Sequence, residues 1–185
     1  MRIISGSYKG RKLTSGKDQR IRPTTNKVKE FIFNVLDDFP LNKSVVDFFS
    51  GSGNLGLEAL SRGAKTVVFV ENASSSISVL KRNIRALNIS KDQYTIVHSD
   101  AIKYVTRSPH PFDLIFMDPP FVYPPLQNLV DKTTRSAFMH EKSLLVIEHE
   151  TINPIDMESP LYVIIKQKKM GRSLISFIMK RERYE

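Results

Sequence analysis

Short apolar runs alternate with helical patterns through the middle of the 185-residue chain, and this alternation constrains the fold more than any other feature. The candidate strands are compact runs rich in Val, Ile, Leu or Phe, and they occupy residues 44–49, 66–70, 94–98, 113–117 and 143–149. Helical patterns lie between them, near residues 55–61, 74–87, 101–106 and 126–138. This order predicts βαβ units, a largely parallel sheet and helices on both of its faces.

The N-terminal end departs from this alternation. Residues 3–7 and 11–14 flank Lys9-Gly10 and predict a small hairpin, and a helix is expected to begin at Thr24. The apolar stripe of that helix consists of Val28, Phe31, Ile32, Val35 and Leu36.

The C-terminal end predicts a closing antiparallel hairpin. Residues 161–166 and 173–179 are its candidate strands, and they flank a Lys-Lys-Met-Gly-Arg turn. We expect one domain over residues 1–185, in which a basic N-terminal extension (1–43) precedes an α/β core (44–185).

Basic residues are concentrated at the two ends of the chain. Of 28 Lys and Arg, 10 lie in residues 1–43 against 4 acidic residues, and 7 lie in residues 166–185 against 2. Such clustering favours a polyanion-binding surface, although a solvated basic surface would leave the same pattern. The candidate nucleic-acid contacts in these clusters are Arg11, Lys12, Lys168 and Lys169, and the family motif described below adds Arg22.

Composition narrows the class of protein further. The chain has no cysteine, which is typical of a reducing cytoplasm, and no apolar run approaches the roughly 18 residues of a membrane span. Its four histidines have no metal-ligand spacing. We expect a cytoplasmic protein that has no metal centre and no membrane association.

A glycine loop follows the first predicted strand. Gly51, Gly53 and Gly56 match G-x-G-x-x-G, and Glu71 follows about 20 residues later at the end of the next strand. The glycines let the backbone approach a ligand, and the carboxylate can accept hydrogen bonds from ribose hydroxyls. By itself, the loop fits either NAD or S-adenosylmethionine.

Two further carboxylates favour S-adenosylmethionine. Asp47 is expected in the first turn after the strand, beside the glycines, where it would repel a pyrophosphate but attract the positively charged methionine end of the cofactor. Asp100, followed by Ala101, comes after the third strand, where it can accept a hydrogen bond from an adenine amino group. The alternative is that these aspartates only cap the helices that follow them.

An amine-binding turn ends the fourth predicted strand, in the segment Asp118-Pro119-Pro120-Phe121. The prolines stiffen the turn and remove two N–H donors, which leaves a carboxylate and carbonyl acceptors. These groups suit an exocyclic NH2, and the aromatic ring offers a face for an unstacked base. A proline-rich turn with a purely structural role is the alternative.

The chain resembles the RsmD family of bacterial small-subunit ribosomal RNA methyltransferases. The motifs that carry the resemblance are Met1-Arg-Ile-Ile-Ser-Gly, Arg22-Pro-Thr-Thr, Val28-Lys-Glu, Phe33-Asn, the run from Gly51 to Gly63, and Asp118-Pro-Pro-Phe. The resemblance implies a class I, Rossmann-like methyltransferase with a mostly parallel seven-stranded sheet. It assigns S-adenosylmethionine contacts to Asp47, Gly51, Gly53, Glu71 and Asp100, and target-amine contacts to residues 118–121. Lys29, Asn54 and Asn72 depart from the family pattern.

The resemblance implies methyl transfer to the exocyclic N2 amine of a guanine in small-subunit (16S) ribosomal RNA, within a partly or fully assembled subunit. Three alternatives stay open at this point. The enzyme could methylate another base amine, such as adenine N6 in DNA. The chain could instead be an NAD-dependent oxidoreductase or a non-catalytic RNA-binding module.

Overall fold

The computed structural model describes residues 1–15, 25–107, 110–120 and 123–181. The helices are α1 (Asn26–Leu36), α2 (Asn54–Ser61), α3 (Ser74–Leu87), α4 (Ala101–Arg107) and α5 (Leu126–Arg135), with one 3-10 turn at Lys91–Gln93. The strands are β1 (Ser44–Phe48), β2 (Thr66–Glu71), β3 (Tyr94–His98), β4 (Phe112–Met117), β5 (Met139–Glu150), β6 (Tyr162–Met170) and β7 (Ser173–Lys180). Among the helices of these ranges, none is both long and apolar enough to cross a bilayer.

The strands form one seven-stranded sheet in the order β3-β2-β1-β4-β5-β7-β6. The first five strands of the chain pair in parallel, and only β7 runs antiparallel to its neighbours β5 and β6. The predicted fold class is therefore confirmed. The strand order reverses between β1 and β4, and such a switch point opens a crevice at the carboxyl ends of the two strands.

Two apolar cores cover the two faces of the sheet. One contains the buried side chains of α1, α2 and α3 together with Ile3 and Leu13 of the N-terminal segment. The other contains those of α4 and α5. Because side chains alternate along a strand, neighbouring residues of β1 and β4 contribute to opposite cores. This arrangement holds the loops after both strands on a rigid base.

Helix α1 buries a charged residue that its apolar pattern does not predict. Thr25 caps the helix by accepting a hydrogen bond from the Val28 amide at 3.3 Å. The buried residues are Val28, Lys29, Ile32, Phe33 and Leu36, whereas the predicted stripe members Phe31 and Val35 are only partly buried. The partners that make burial of Lys29 possible come from distant parts of the chain.

The N-terminal hairpin is much shorter than predicted. Its two arms form one antiparallel bridge, between Arg2 and Lys12, and three backbone hydrogen bonds join residues 1–3 to residues 10–13. The amides of Ile4 and Ser5 donate to the Glu58 carboxylate instead, at 2.8 and 3.0 Å. Residues 4 and 5 thus bind α2 instead of extending the strand pairing, and residues 5–10 form bends and turns.

The C-terminal hairpin is confirmed, but its turn is shorter than predicted. Strand β6 continues to Met170, which pairs with Ser173, so the turn consists only of Gly171 and Arg172. Gly171 has a φ of 66°, which favours glycine at the first position of a two-residue hairpin turn. Lys168 and Lys169 therefore lie in a strand rather than in a loop.

Three predicted boundaries also shift. Strand β1 ends at Phe48 because Phe49 adopts a left-handed conformation, with a φ of 55°. Helix α5 ends at Arg135, where Ser136 leaves the helix, and β5 begins at Met139 rather than at residue 143.

Candidate active site

The pairing of β1 with β4 brings the two predicted functional loops together. Phe48 is in register with Met117, so the glycine loop after β1 and the turn after β4 leave the sheet side by side. The site combines these loops with the ends of β2 and β3, where Glu71 and Asp100 lie.

Two glycines permit close packing of α3 and β2 against the start of α2. A Cβ at Gly53 would lie 2.5 Å from Leu80 Cδ1, and Gly53 has a φ of 85°. A Cβ at Gly56 would lie 2.4 Å from Phe69 Cε1 and 3.0 Å from Asp47 Oδ2. Gly56 therefore serves helix-strand packing, whereas Gly51 and Gly53 shape the loop itself.

Asp47 lies inside β1 and not in the turn that follows it, which corrects the predicted position. Its side chain is buried, and Oδ2 accepts a hydrogen bond from the Gly56 amide at 2.9 Å. The carboxylate thereby caps α2, because Gly53 at the N-cap has no side chain. Burial raises the pKa of Asp47 to about 7, with a smaller contribution from the Glu71 charge and an opposing one from the Gly56 hydrogen bond.

Replacing Asp47 with Asn tests this buried charge. The pKa of Asp47 is about 7 in the folded protein and about 3.9 in an unfolded chain, so the folded state holds the proton more tightly. Stability is therefore lost as the pH rises from about 4 to about 7. At pH 8 the Asp47→Asn protein is expected to exceed the wild type by about 2 to 4 kcal/mol in unfolding free energy, with little difference near pH 4. Urea unfolding across this pH range measures the difference.

Asp113→Asn provides the matched control with the opposite sign. Burial of Asp113 opposes ionisation, but hydrogen bonds from Ser44 and the charges of Lys43 and His140 lower its pKa overall. Its charged form therefore stabilises the protein above the unfolded pKa, and this contribution is lost as the pH falls. Asp113→Asn should lose stability at pH 8. A loss in the Asp47→Asn protein as well would contradict the predicted cost of the Asp47 charge.

Glu71 ends β2 and joins the glycine loop to the start of α3. Its Oε2 accepts from the Gly51 amide at 2.8 Å, and its Oε1 accepts from the amides of Asn72 and Ala73, both at 2.8 Å. A carboxylate offers about four acceptor positions. Three are used within the protein, so Oε2 retains capacity for one external donor.

Asp100 caps α4, as one of the sequence-based alternatives expected. Its Oδ1 accepts from the Lys103 amide at 3.0 Å, and its carbonyl accepts from the Tyr104 amide. Ala101 is the first residue of the helix and is buried. The cap uses one carboxylate oxygen, so it leaves the second available to a ligand.

The turn after β4 lies at the mouth of the same crevice. Asp118 is partly exposed, Pro119 is buried and Pro120 is exposed. Phe121, the fourth predicted residue of this turn, lies outside the described residues.

An aromatic pair that the sequence does not reveal connects the two loops. The rings of Phe49 and Tyr123 meet edge to face, with centroids 5.0 Å apart. Tyr123 also holds the loop ahead of α5, because its carbonyl accepts from Asn153 Nδ2 and from the Leu126 amide, both at 3.1 Å. Burial raises the pKa of the Tyr123 hydroxyl, and the charge of Asp100 adds to this effect. Tyr123 therefore stands between the ends of β1, β3 and β4.

Two of the residues that depart from the family pattern contact each other. Lys29 Nζ donates to Asn54 Oδ1 at 2.8 Å and to the Arg2 carbonyl at 2.7 Å, and it forms an ion pair with Glu58 at 3.1 Å. Asn54 is the first residue of α2, directly after the glycine loop. The contact ties the N-terminal segment to the base of the loop.

The predicted RNA-contact residues lie at the two ends of the described chain. Arg11 and Lys12 are exposed, and the Arg11 guanidinium donates to the Ala86 carbonyl at the end of α3. Lys168 and Lys169 are exposed on β6, and as neighbours in a strand they point to opposite faces of the sheet. Arg22 lies outside the described residues. Within the described part of the chain, no group of His, Asp and Glu side chains could hold a metal ion.

The strand order and the crevice at its switch point define a Rossmann-like fold of the class I methyltransferase type. A family model described as Conserved hypothetical protein 95 matches residues 1–179, and the chain belongs to this family. The predicted membership of the RsmD family is thereby confirmed.

Individual relatives agree with this assignment. The chain is 33% identical over 174 residues to Ribosomal RNA small subunit methyltransferase D of Haemophilus influenzae, an alignment that covers 92% of this chain and 89% of the relative. It is 30% identical over 172 residues to the protein of the same name in Escherichia coli, covering 93% and 86%. Among solved structures, "Putative methyltransferase yhhF from Escherichia coli" superposes with a TM-score of 0.88 at 28% identity and 99% coverage of both chains.

Proposed function

We propose that this chain transfers a methyl group from S-adenosylmethionine to the exocyclic N2 amine of a guanine in small-subunit ribosomal RNA. The register of Phe48 with Met117 carries the proposal, because it sets a ligand-cradling glycine loop beside an amine-accepting turn. Membership of a family with relatives named small-subunit ribosomal RNA methyltransferases supports the same substrate. We also propose that the protein acts in the cytoplasm, as its composition predicts.

The carboxylates around the glycine loop fit S-adenosylmethionine better than a pyrophosphate-containing cofactor. Glu71 beside the loop places a carboxylate where a pyrophosphate would be repelled, and the ionised form of Asp47 beneath the loop adds to this repulsion. We assign the remaining acceptor capacity of Glu71 to a ribose hydroxyl and the second oxygen of Asp100 to the adenine amino group. When bound, S-adenosylmethionine would supply an electrophilic methyl group on a positively charged sulfur. The amine nitrogen would bond to the methyl carbon as the carbon–sulfur bond breaks, S-adenosylhomocysteine would leave, and the nitrogen would release one proton to solvent.

The turn after β4 has the groups needed to hold a base amine. The lone pair of such an amine is delocalised into the ring, so the amine is a weak nucleophile. We propose that Asp118 and the Pro119 carbonyl accept hydrogen bonds from its two N–H groups and fix the direction of the lone pair. Correct positioning of this kind can contribute roughly 7 to 11 kcal/mol to a reaction between two bound groups. Phe121 would give the base an apolar face.

Methyl transfer from labelled S-adenosylmethionine tests the proposal directly. Unmodified small-subunit ribosomal RNA is offered both free and assembled with its proteins, and the product is digested to nucleosides. We expect labelled N2-methylguanosine. Label in N6-methyladenosine would change the assigned base, because Asp118 and Pro119 recognise an amine and not a particular ring. Absence of label from both substrates would contradict the proposed function.

The basic ends of the chain are proposed to bind the RNA backbone. Lys168 pairs in register with Ile175, which belongs to the core beneath α1 and the N-terminal segment. Residues in register share a face of the sheet, so Lys168 lies on the face that the N-terminal segment with Lys12 covers. Lys169 points to the opposite face.

Salt dependence of RNA binding tests this arrangement. Lys12→Gln and Lys168→Gln should each flatten the slope of log affinity against log salt by roughly 0.7 to 0.9, the value for one lost phosphate contact. Lys169→Gln is the matched comparison on the other face and should change the slope less. Slopes equal to that of the wild type in all three proteins would mean that these lysines are ordinary solvated surface.

A further inference from the structure

Asn83 joins two parts of the chain that are far apart in sequence. It lies on α3 and its side chain is buried. Its Oδ1 accepts from the Thr14 amide at 2.9 Å, and its Nδ2 donates to the Thr14 carbonyl at 3.0 Å and to the Ser52 carbonyl at 2.9 Å. The two carbonyls require a donor and the amide requires an acceptor, so the three contacts fix the orientation of the Asn83 amide.

The two partners of Asn83 belong to the two proposed binding sites. Ser52 stands between Gly51 and Gly53 in the glycine loop. Thr14 lies two residues after Lys12, which pairs with Arg2 in the antiparallel bridge, and three residues after Arg11. One buried amide therefore holds a residue of the cofactor loop and a residue of the basic N-terminal segment.

Helix α3 is the common base for both partners. Leu80, one turn before Asn83, packs against Gly53, where an added Cβ would lie 2.5 Å from its Cδ1. Ala86, one turn after Asn83, accepts the guanidinium hydrogen bond of Arg11 through its carbonyl. Residues three apart share a helix face, so the loop and the basic segment contact one continuous face of α3.

We propose that Asn83 is a positioning residue that couples cofactor binding to RNA binding. A ligand in the glycine loop restrains Ser52, which restrains the Asn83 amide and through it Thr14 and the basic segment. RNA held by that segment restrains the loop in the opposite direction, because coupling between two binding sites is reciprocal. This inference rests on the proposed function, and Asn83 itself touches neither ligand.

The coupling is measured as the change in RNA affinity caused by S-adenosylhomocysteine, a cofactor form that cannot react. We expect the compound to tighten binding of small-subunit ribosomal RNA to the wild type by about 5-fold or more, within the usual range of site-to-site coupling. In Asn83→Asp, the acceptor for the Thr14 amide remains, but the hydrogen bonds donated to the Thr14 and Ser52 carbonyls are lost. The factor by which S-adenosylhomocysteine tightens RNA binding should therefore fall to nearly 1. Asn128→Asp makes the same chemical change at an exposed position of α5 and should keep the wild-type factor.

The outcomes separate this inference from the proposed function. If the wild type binds neither S-adenosylhomocysteine nor RNA, the proposed function fails. If the wild type binds both ligands but S-adenosylhomocysteine does not change its RNA affinity, the coupling role of Asn83 is wrong. It is also wrong if Asn83→Asp shows the same change in RNA affinity as the wild type. A residue that only stabilised the fold would lower the melting temperature without changing the factor.

Amide hydrogen exchange of the wild type gives a second test that does not depend on a variant folding. Adding S-adenosylhomocysteine should slow exchange of the Thr14 amide as well as that of the Gly51 amide in the loop. Protection of Gly51 alone would overturn the coupling while leaving cofactor binding intact.

Discussion

Asp118→Ala is expected to lower the rate of methyl transfer by about 10²- to 10³-fold, the usual cost of removing one preorganised group that acts in the transition state. Affinity for S-adenosylmethionine should stay within a few-fold, because Asp118 follows β4 whereas the proposed cofactor contacts lie at or just beyond the ends of β1, β2 and β3. The turnover number should therefore fall while the Michaelis constant for the cofactor changes little. Single-turnover methylation and calorimetric cofactor binding measure the two effects.

Two variants make this result specific. Asp38→Ala removes an exposed carboxylate from the connection between α1 and β1, at the opposite end of β1, and should retain wild-type activity. Asp118→Asn keeps the size of the side chain and one acceptor oxygen, so it should recover part of the loss. Wild-type turnover by Asp118→Ala would remove this residue from the catalytic assignment.

Lys29→Met is expected to lower the unfolding free energy by about 3 to 5 kcal/mol, the cost of breaking a buried ion pair on one side. Lys29 and Glu58 are both fully buried, with Nζ and Oε2 3.1 Å apart. Burial lowers the pKa of Lys29, and the Glu58 charge opposes that shift. Without the ammonium group, the Glu58 carboxylate keeps Arg62 as a cationic partner at 3.0 Å, so the loss should lie at the lower end of this range. Chemical denaturation compares the variant with the wild type.

Lys27→Met is the matched control, since it makes the same change on the exposed side of α1 and should cost little. Adding Glu58→Gln to Lys29→Met removes the buried charge that was left behind, so the double variant should be more stable than the sum of the two single losses predicts. Equal stability of Lys29→Met and Lys27→Met would show that the buried pair contributes nothing.

The order of strands and helices could be read from the sequence because it depends on local patterns. Continuous apolar runs mark strands that are covered on both faces, and the glycine loop marks a strand that turns into a helix. The carboxyl ends of parallel strands meet at one edge, so Glu71, Asp100 and Asp118 could be assigned to one site before any contact was known. The charge of the two ends is likewise a property of composition.

Contacts between distant residues were decided only by the tertiary structure. The apolar spacing of α1 gives no sign that Lys29 is buried, because its partner Glu58 lies on another helix and burial without it would be prohibitive. The N-terminal hairpin is shorter than predicted for a related reason, since the amides of Ile4 and Ser5 donate to Glu58 on α2. The capping role of Asp47 depends on how closely α2 approaches β1, a distance that the glycine spacing permits but does not specify.

The same division explains why the sequence points to candidate site residues but not to the residues that support them. Glu71 and Asp118 stand out by position in a motif, whereas Asn83 and the ring pair of Phe49 with Tyr123 have ordinary sequence surroundings. Each of these contacts joins segments that only folding brings together. A local pattern determines which groups face the crevice, and long-range packing determines what supports them, because a hydrogen bond or ring contact exists only when both partners are in place.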